Sequence, residues 1–424
     1  MTKHSSETLS PIAIAVGLAA LAVVVGWGLT QGKPERTLEG LPQVEEAPEA
    51  INLVSRTITL SDGTEAAFRI AEPFEATIAA DGLGKARFMT MSPDGRLFVP
   101  DLVNMNLSRE GKIYVLEDFN EETMRFEKKS TFLSDLRGPN SVAFYTDAEG
   151  VTWIYYTLTD RLVRHRYEAG DTAPRGTGEV IATFEDWQSP EADGIVWHIT
   201  RTLLFVDDTL YVSVGSGCNA CEQPESEMRA MILAMDPDGE NIRVYAKGTK
   251  NMVGLEWARG ALYATENGVD HLGVDDPDDT MYLIEEGKHY GWPYCYESRG
   301  EKLDETIQEW ERKDIDCQTD VPRSFAAFGS HTAPLGLKYF DASAHSVLRN
   351  SFLVALHGSF REEIGHGYRI MRVLPDGIQE VFMDGFLDAD GKRVARPVDI
   401  LQHDEDSFFV TDDHGGQVFF VYAK

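Results

Sequence analysis

The chain has 424 residues, with 70 Asp or Glu against 39 Lys or Arg, a formal net charge of -31. Both nucleic acid and an anionic membrane surface would be repelled by so acidic a protein, which leaves small molecules or basic proteins as partners. Length alone allows one large domain or two smaller ones.

Residues 1–10 are a short polar segment containing Lys3. Residues 11–30, PIAIAVGLAALAVVVGWGLT, carry no charge and are long enough to cross a bilayer as a helix. No Ala-x-Ala cleavage site accompanies this run, so an uncleaved transmembrane anchor is expected in preference to a removed signal peptide. Lys33 and Arg36 on its far side leave too little charge asymmetry to set its orientation. Residues 31–51, rich in Pro, Glu and Ala, read as a solvated linker.

The folded body is expected at residues 52–424 and reads as all-β. An apolar strand, an Asp or Gly turn and a second apolar strand occur at 88–101 (FMTMSPDGRLFVPD) and return at 141–158, 197–216, 253–268, 335–358 and 397–413. Six imperfect repeats of this design predict a six-bladed β-propeller, because long self-similar periods of short strands mark that architecture. Helical periodicity is scarce beyond residue 30, and ETIQEWERK (305–313) is its best candidate, inside a long charged insertion between the fourth and fifth units. The last strand, GGQVFFVYAK, is expected to close the ring by pairing with N-terminal sequence.

Cys218, Cys221, Cys295 and Cys317 make an even number that suits two disulfides in an oxidising compartment; a zinc site and reduced thiols are the alternatives. Glu222 after Cys221, where a c-type haem motif has His, argues against haem. Cys295 and Cys317 are too far apart to supply the second close pair of a four-thiolate zinc site.

Loops at a propeller's central mouth converge, so polar residues flanking the inner strands are the first candidates for chemistry. Five clusters fall there: His198 with Arg201; Lys250-Asn251; the acidic run 265–279 (TENGVDHLGVDDPDD); HGSFREE (357–363) with His357 and Arg361; and ARPVD (395–399) with Arg396. An imidazole removes protons near neutral pH, the cations bind carboxylates, and acidic loops with Gly attract hard cations such as calcium. Read singly, each also suits a capping histidine, a solvated lysine or a plain acidic loop.

In order, GTKNMVGL, ENG, the acidic run, HYGWPYC, HTAPLGL, LHGSFR, RPVD and TDDHGG resemble the glucose/sorbosone dehydrogenase family, six-bladed propellers that use pyrroloquinoline quinone, from about residue 80 to the C-terminus. The presence together of HxxR, GSGCNAC and HGSFR looks most like its sorbosone-type, membrane-tethered branch. The resemblance implies that His198 is the general base for a sugar hydroxyl while hydride passes to the quinone, with Arg201 beside it. It implies that Lys250, Asn251, His357, Arg361 and Arg396 contact the cofactor. Calcium is expected at the backbone carbonyls of Gly268 and Val269, with Asp278 and Asp279 nearby. Electrons would pass to a membrane quinone or cytochrome c from a periplasmic propeller anchored in a bacterial inner membrane. Three positions depart from the pattern: Lys250 stands where Arg is usual, Trp197 where the soluble glucose enzyme has Asp, and Thr280 where a Glu is usual. A cofactor-free propeller that binds a ligand or partner protein, and a calcium-dependent lactonase, are the alternative readings.

Overall fold

The structure is a computed structural model that describes residue 44 and residues 46–104, 108–185, 197–223, 225–298 and 305–424. The expected anchor at 11–30 and residues 31–43 and 45 of the linker lie outside the described residues. Among those residues, no helix is long and apolar enough to cross a membrane.

Six four-stranded antiparallel units form the body, one of them extended by a further hairpin. Each repeat read in the sequence is the first, innermost hairpin of one blade. In chain order the inner strands are Thr90–Met91, Val142–Thr146, Arg201–Val206, Met252–Ala258, Pro334–Phe340 and Pro397–Gln402. The second strands are Leu97–Asp101, Thr152–Thr157, Thr209–Val214, Ala261–Glu266, Ser351–Leu356 and Ser407–Asp412. These second strands are buried along nearly their whole length, as strands covered on both faces are.

The C-terminal strand Gln417–Ala423 pairs with Phe74–Ala80, so the last blade borrows its outer strand from the start of the body and the ring has no open seam. Just upstream, the hairpin of Leu53–Thr59 and Glu65–Ala71 extends the fifth blade through Arg69 and Ile70, opposite Asp384 and Met383. Apolar clusters fill the gaps between blades. Tyr155, Leu162 and Val212 pack between the second and third, and Phe98, Ile113 and Ile154 between the first and second.

Along the axis, Phe88, Val253, Leu335 and Val398 form a buried plug from four inner strands. The inner strands there approach so closely that a Cβ on Gly254 would lie 2.1 Å from the Leu335 carbonyl oxygen. In the fourth, fifth and sixth blades the first hairpin also carries a register shift at this level, between Met252 and Leu255, Pro334 and Leu337, and Pro397 and Ile400. A bulge of this kind turns the residue ahead of it away from the regular alternation. The residues ahead of these three are Asn251, Ala333 and Arg396, all on one rim of the channel.

One expected element is corrected. Residues 305–308 are a strand, not the start of a helix: Glu305–Gln308 pairs with Cys295–Ser298 in a separate hairpin inserted in the fourth blade. The segment offers only Ile307 and Trp310 as an apolar helix face, too little to bury, whereas a partner strand satisfies its backbone. Both disulfides form, Cys218 with Cys221 and Cys295 with Cys317, and zinc and free thiols are thereby set aside.

The Cys295–Cys317 bridge closes a loop with a sequence separation of 22 residues. Removing it by Cys317→Ser is expected to lower unfolding free energy by about 3 kcal/mol, the chain-entropy value for such a loop. Urea unfolding of parent and variant in non-reducing buffer checks this, and identical midpoints would refute it.

Candidate active site

The starts of the inner strands and the ends of the second strands meet on one rim, because they are paired in register: Arg201 opposite Val214, Met252 opposite Glu266, and Pro397 opposite Asp412. That pairing gathers side chains from all six blades above the apolar plug.

His198 sits just before the third inner strand with a positive φ of 46°. Its Nδ1 lies 2.9 Å from the Ser216 carbonyl oxygen and 3.0 Å from Ser216 Oγ. A carbonyl only accepts, so Nδ1 carries the proton and Nε2 presents a lone pair. Ser216 is itself fixed: its Oγ donates to the Cys218 carbonyl at 2.6 Å, and Arg229, fully buried, donates to the carbonyls of Gly215 and Ser216 at 3.0 and 2.8 Å. Burial, joined by the charge of Lys250, holds the imidazole well below its ordinary pKa, so it is neutral at pH 7. Gly215 completes the arrangement. A Cβ there would come within 2.6 Å of both His198 Cβ and Asn251 Oδ1, so only glycine lets these two side chains meet over the backbone.

Arg201 has a different surrounding from a substrate-facing side chain. It is 1% exposed, donates through Nη1 to the carbonyls of His198 and Thr200 at 2.6 and 2.9 Å, and lies over the Phe184 ring. It ties down the loop that carries His198.

Lys250 is buried beside the base. Its Nζ donates to the Gly268 carbonyl at 2.7 Å and lies 3.7 Å from Asp270 Oδ2 and 5.8 Å from the centre of the Trp197 ring. Asp270 also faces His331 Nδ1 at 3.6 Å. Burial works to raise the Asp270 carboxyl, but Lys250 and His331 outweigh it and keep it ionised. Beneath them Glu266 Oε1 accepts the amides of Lys250 and Asn251 at 2.7 and 3.0 Å, and burial pushes its pKa up to about 8.

A second group occupies the arc from the sixth blade to the first. Asp413 receives Arg87 Nη1 at 3.4 Å and His357 Nε2 at 2.9 Å; Arg87 Nε reaches Asn140 at 3.0 Å, and Asn140 donates to the Arg201 carbonyl at 3.0 Å. One chain of hydrogen bonds thus joins this group to the His198 loop. Arg396 donates to the carbonyls of His357 and Gly358 at 3.3 and 3.0 Å, with Lys85 and Arg393 close by. The structure therefore brings together His198, Lys250, Asn251 and Gly268 on one arc, and His357 and Arg396 on the other. Arg361 stands apart: its side chain is 58% exposed, with Glu363 at 3.9 Å.

The residues expected around calcium are placed as follows. Gly268 O accepts the Lys250 ammonium, Val269 is buried against Cys218 and Trp292, and Asp278 is buried beneath the loop. Both Asp279 oxygens accept backbone amides, from Gly268 at 2.5 Å and Ala333 at 2.7 Å. Among the described residues no three His, Cys, Asp or Glu side chains are grouped to hold a metal ion. Calcium here would therefore rest on backbone carbonyls, of which that of Gly268 is taken by Lys250, and among the described residues the rim shows no acidic cluster of the kind a calcium-dependent lactonase needs.

Asp270 belongs to the acidic run read in the sequence, whereas Ser216, Arg229, His331, Arg87, Asn140 and Asp413 are residues of this rim that the sequence alone does not single out. Asp413 and His331 lie within the TDDHGG and HTAPLGL motifs, while Ser216 and Arg229 act through backbone carbonyls, which leaves no motif to find.

Residues 68–424 match the family TrAA12-like. The chain belongs to this family. It is similar in structure to the holo form of the pyranose dehydrogenase PQQ domain from Coprinopsis cinerea, with 18% identity, TM-score 0.66, and coverage of 84% of this chain and 97% of that one. A calcium structure of the Trichoderma reesei Carbohydrate-Active Enzymes Family AA12 protein aligns with TM-score 0.68 and 18% identity over 84% and 96% of the two chains. The PQQ-bound aldose sugar dehydrogenase of Streptomyces coelicolor aligns with TM-score 0.56 and 18% identity over 83% and 99%. A Borreliella burgdorferi relative described only as an uncharacterized protein is 28% identical over 234 residues, 51% of this chain and 58% of its own length. The TrAA12-like family and the six-bladed architecture agree with the resemblance drawn from the ordered motifs.

Glu266 supplies a test of the rim's electrostatics. Its carboxyl is protonated up to about pH 8 in the folded protein and ionises near pH 4.5 when unfolded, so folding binds a proton between these values. The unfolded state then holds fewer protons, and the stability Glu266 contributes falls as pH rises through that window. Glu266→Gln keeps an amide acceptor and removes the titration. Its stability relative to the parent is therefore expected to rise between pH 5 and pH 8, by at most ~1.4 kcal/mol per pH unit, in urea unfolding at both pH values. A pH-independent difference would show that Glu266 is ionised in the fold.

Proposed function

We propose that the protein is a dehydrogenase that oxidises a sugar or related alcohol with pyrroloquinoline quinone. The observation that carries this reading is the pairing of a neutral imidazole, with a defined free nitrogen, and an arc of cations in a protein of net charge -31. Lys250, Asn251 and Arg396, with Arg87 and His357 behind them, suit a planar cofactor bearing carboxylates. When bound, that group supplies a two-electron acceptor for hydride.

The rest of the chemistry belongs to the chain. His198 Nε2 accepts the proton of the substrate hydroxyl as the C–H bond at the same carbon breaks, while Ser216 and Arg229 keep Nδ1 in its donor role. The ammonium of Lys250 lies close enough to polarise an oxygen placed over it and to stabilise negative charge developing there. Because Lys250 already neutralises the Gly268 carbonyl, no step is assigned to calcium. The fold is compatible with export, since both disulfides require an oxidising compartment. A membrane quinone or a cytochrome c is the proposed onward acceptor. A ligand-binding propeller without the quinone is the second reading, favoured by the direct contact of Lys250 with Gly268.

His198→Ala is expected to lower kcat at least about a hundredfold with unchanged folding and quinone binding. Since the base acts when unprotonated and its pKa lies well below 6.5, the parent's rate should stay level from pH 8 down past pH 6.5. Dye-coupled assays with a panel of aldoses, run across pH, check both; near-normal turnover in the variant removes His198 from the mechanism.

Affinity for the quinone, followed by absorbance titration, should be the same in chelator and in added calcium and should drop in Lys250→Ala. Binding that requires calcium would return the ion to the Gly268 carbonyl. No binding under either condition would favour the second reading.

A further inference from the structure

We propose that the groove beside the base is a subsite for a second pyranose ring, so that the preferred substrate is an oligosaccharide end and not a free monosaccharide. This rests on the reading of the rim as a site of sugar oxidation. A groove of about 240 Å³ lies between Trp197 and Trp310, with Cys218, Asn219 and Ala220 along its side and His271 and Glu309 at its polar end.

Three observations point to a sugar. Trp197 is the neighbour of the base in sequence, and the two rings are 5.6 Å apart, so the groove begins where the reacting hydroxyl must sit. Trp310 comes from the hairpin inserted in the fourth blade and remains 38% exposed, although the Cys295–Cys317 disulfide ties that insertion down. An indole left open opposite a second indole offers two flat apolar faces for the C–H faces of a sugar ring.

The polar end is built to meet hydroxyls. Asn219 Nδ2 donates to His271 Nδ1 at 3.0 Å, and His271 Nε2 lies 2.5 Å from Glu309 Oε1, which sets the tautomer and aims both groups. Asn219 is held in turn, since its carbonyl accepts the Trp292 indole N–H at 3.0 Å and its Oδ1 accepts the Asp270 amide at 3.0 Å. Two aromatic walls with a carboxylate, an imidazole and an amide at one end are the composition that recognises a pyranose rather than an aliphatic alcohol. Trp310 and Glu309 come from the insertion, so their part in this specificity is separable from His198.

The test compares parent and Trp310→Ala on a panel of pyranose disaccharides and their monosaccharide units, with pyrroloquinoline quinone and a dye acceptor. The parent should show higher kcat/KM for at least one disaccharide than for its units. In the variant, kcat/KM for that disaccharide should fall at least about tenfold while monosaccharide turnover stays within about twofold, as expected for loss of one aromatic stacking face. Equal losses on both, no loss on either, or a parent that favours monosaccharides throughout would overturn the subsite. Titration of intrinsic tryptophan fluorescence with the same disaccharides, without quinone, separates the two claims. Saturable quenching that Trp310→Ala abolishes, in a protein with no turnover, would sustain the groove and reject the dehydrogenase reading. Turnover without any disaccharide preference or quenching would do the reverse.

Discussion

Pairing of Phe74–Ala80 with Gln417–Ala423 converts a row of blades into a ring, and the geometry of the rim depends on that closure. Arg87 follows the first of these strands by a few residues, and Asp413 precedes the second. Closing the seam is what sets a guanidinium from the first blade against a carboxylate from the sixth, at 3.4 Å. From there the hydrogen bonds run through Asn140 to the Arg201 carbonyl and so to the loop of His198. Distant stretches of sequence meet because a closed ring has one rim.

That rim solves an electrostatic difficulty. A chain of net charge -31 repels an anionic ligand everywhere except where cations are concentrated and their neutralising partners are internal. The carboxylates near the site are largely occupied by the protein. Asp279 holds two amides, Asp413 holds Arg87 and His357, and Glu266 is protonated by its burial. Arg396 instead donates to backbone carbonyls, contacts that neutralise no charge, while the ammonium of Lys250 is divided between the Gly268 carbonyl and the ionised Asp270 at 3.7 Å.

The propeller, its closure and the placing of Lys250, Asn251 and Arg396 on one rim were legible because they follow local rules: alternating apolar strands, turn residues, and polar positions ahead of each inner strand. Less was legible where a side chain answers to a backbone group. Trp197 in place of an acidic residue left His198 without an evident partner, and the partner is a carbonyl, which every residue possesses. The insertion misled for a related reason. ETIQEWERK carries charges spaced as on a helix, but its backbone was committed to Cys295–Ser298 by a tertiary pairing and a disulfide that no local pattern announces. Arg361 shows the opposite error, a motif residue that the loop turns out to solvent.

The proposed base and the proposed sugar groove rest on two kinds of structure. The base, its carbonyl partner and the cations sit on strand ends held by the plug of Phe88, Val253, Leu335 and Val398, where bulges and glycines leave little room for movement. The aromatic groove draws Trp197 from the loop of His198, but its other lining comes from the disulfide-bridged loop after the third blade's second strand, the loop of His271 and the insertion in the fourth blade. Such segments change length and sequence without disturbing inter-blade packing, since their bonds to the scaffold are few and local. The two disulfides then act at different points of the site. Cys218–Cys221 braces the carbonyl that accepts from Ser216, and Cys295–Cys317 ties down the insertion that carries the exposed Trp310.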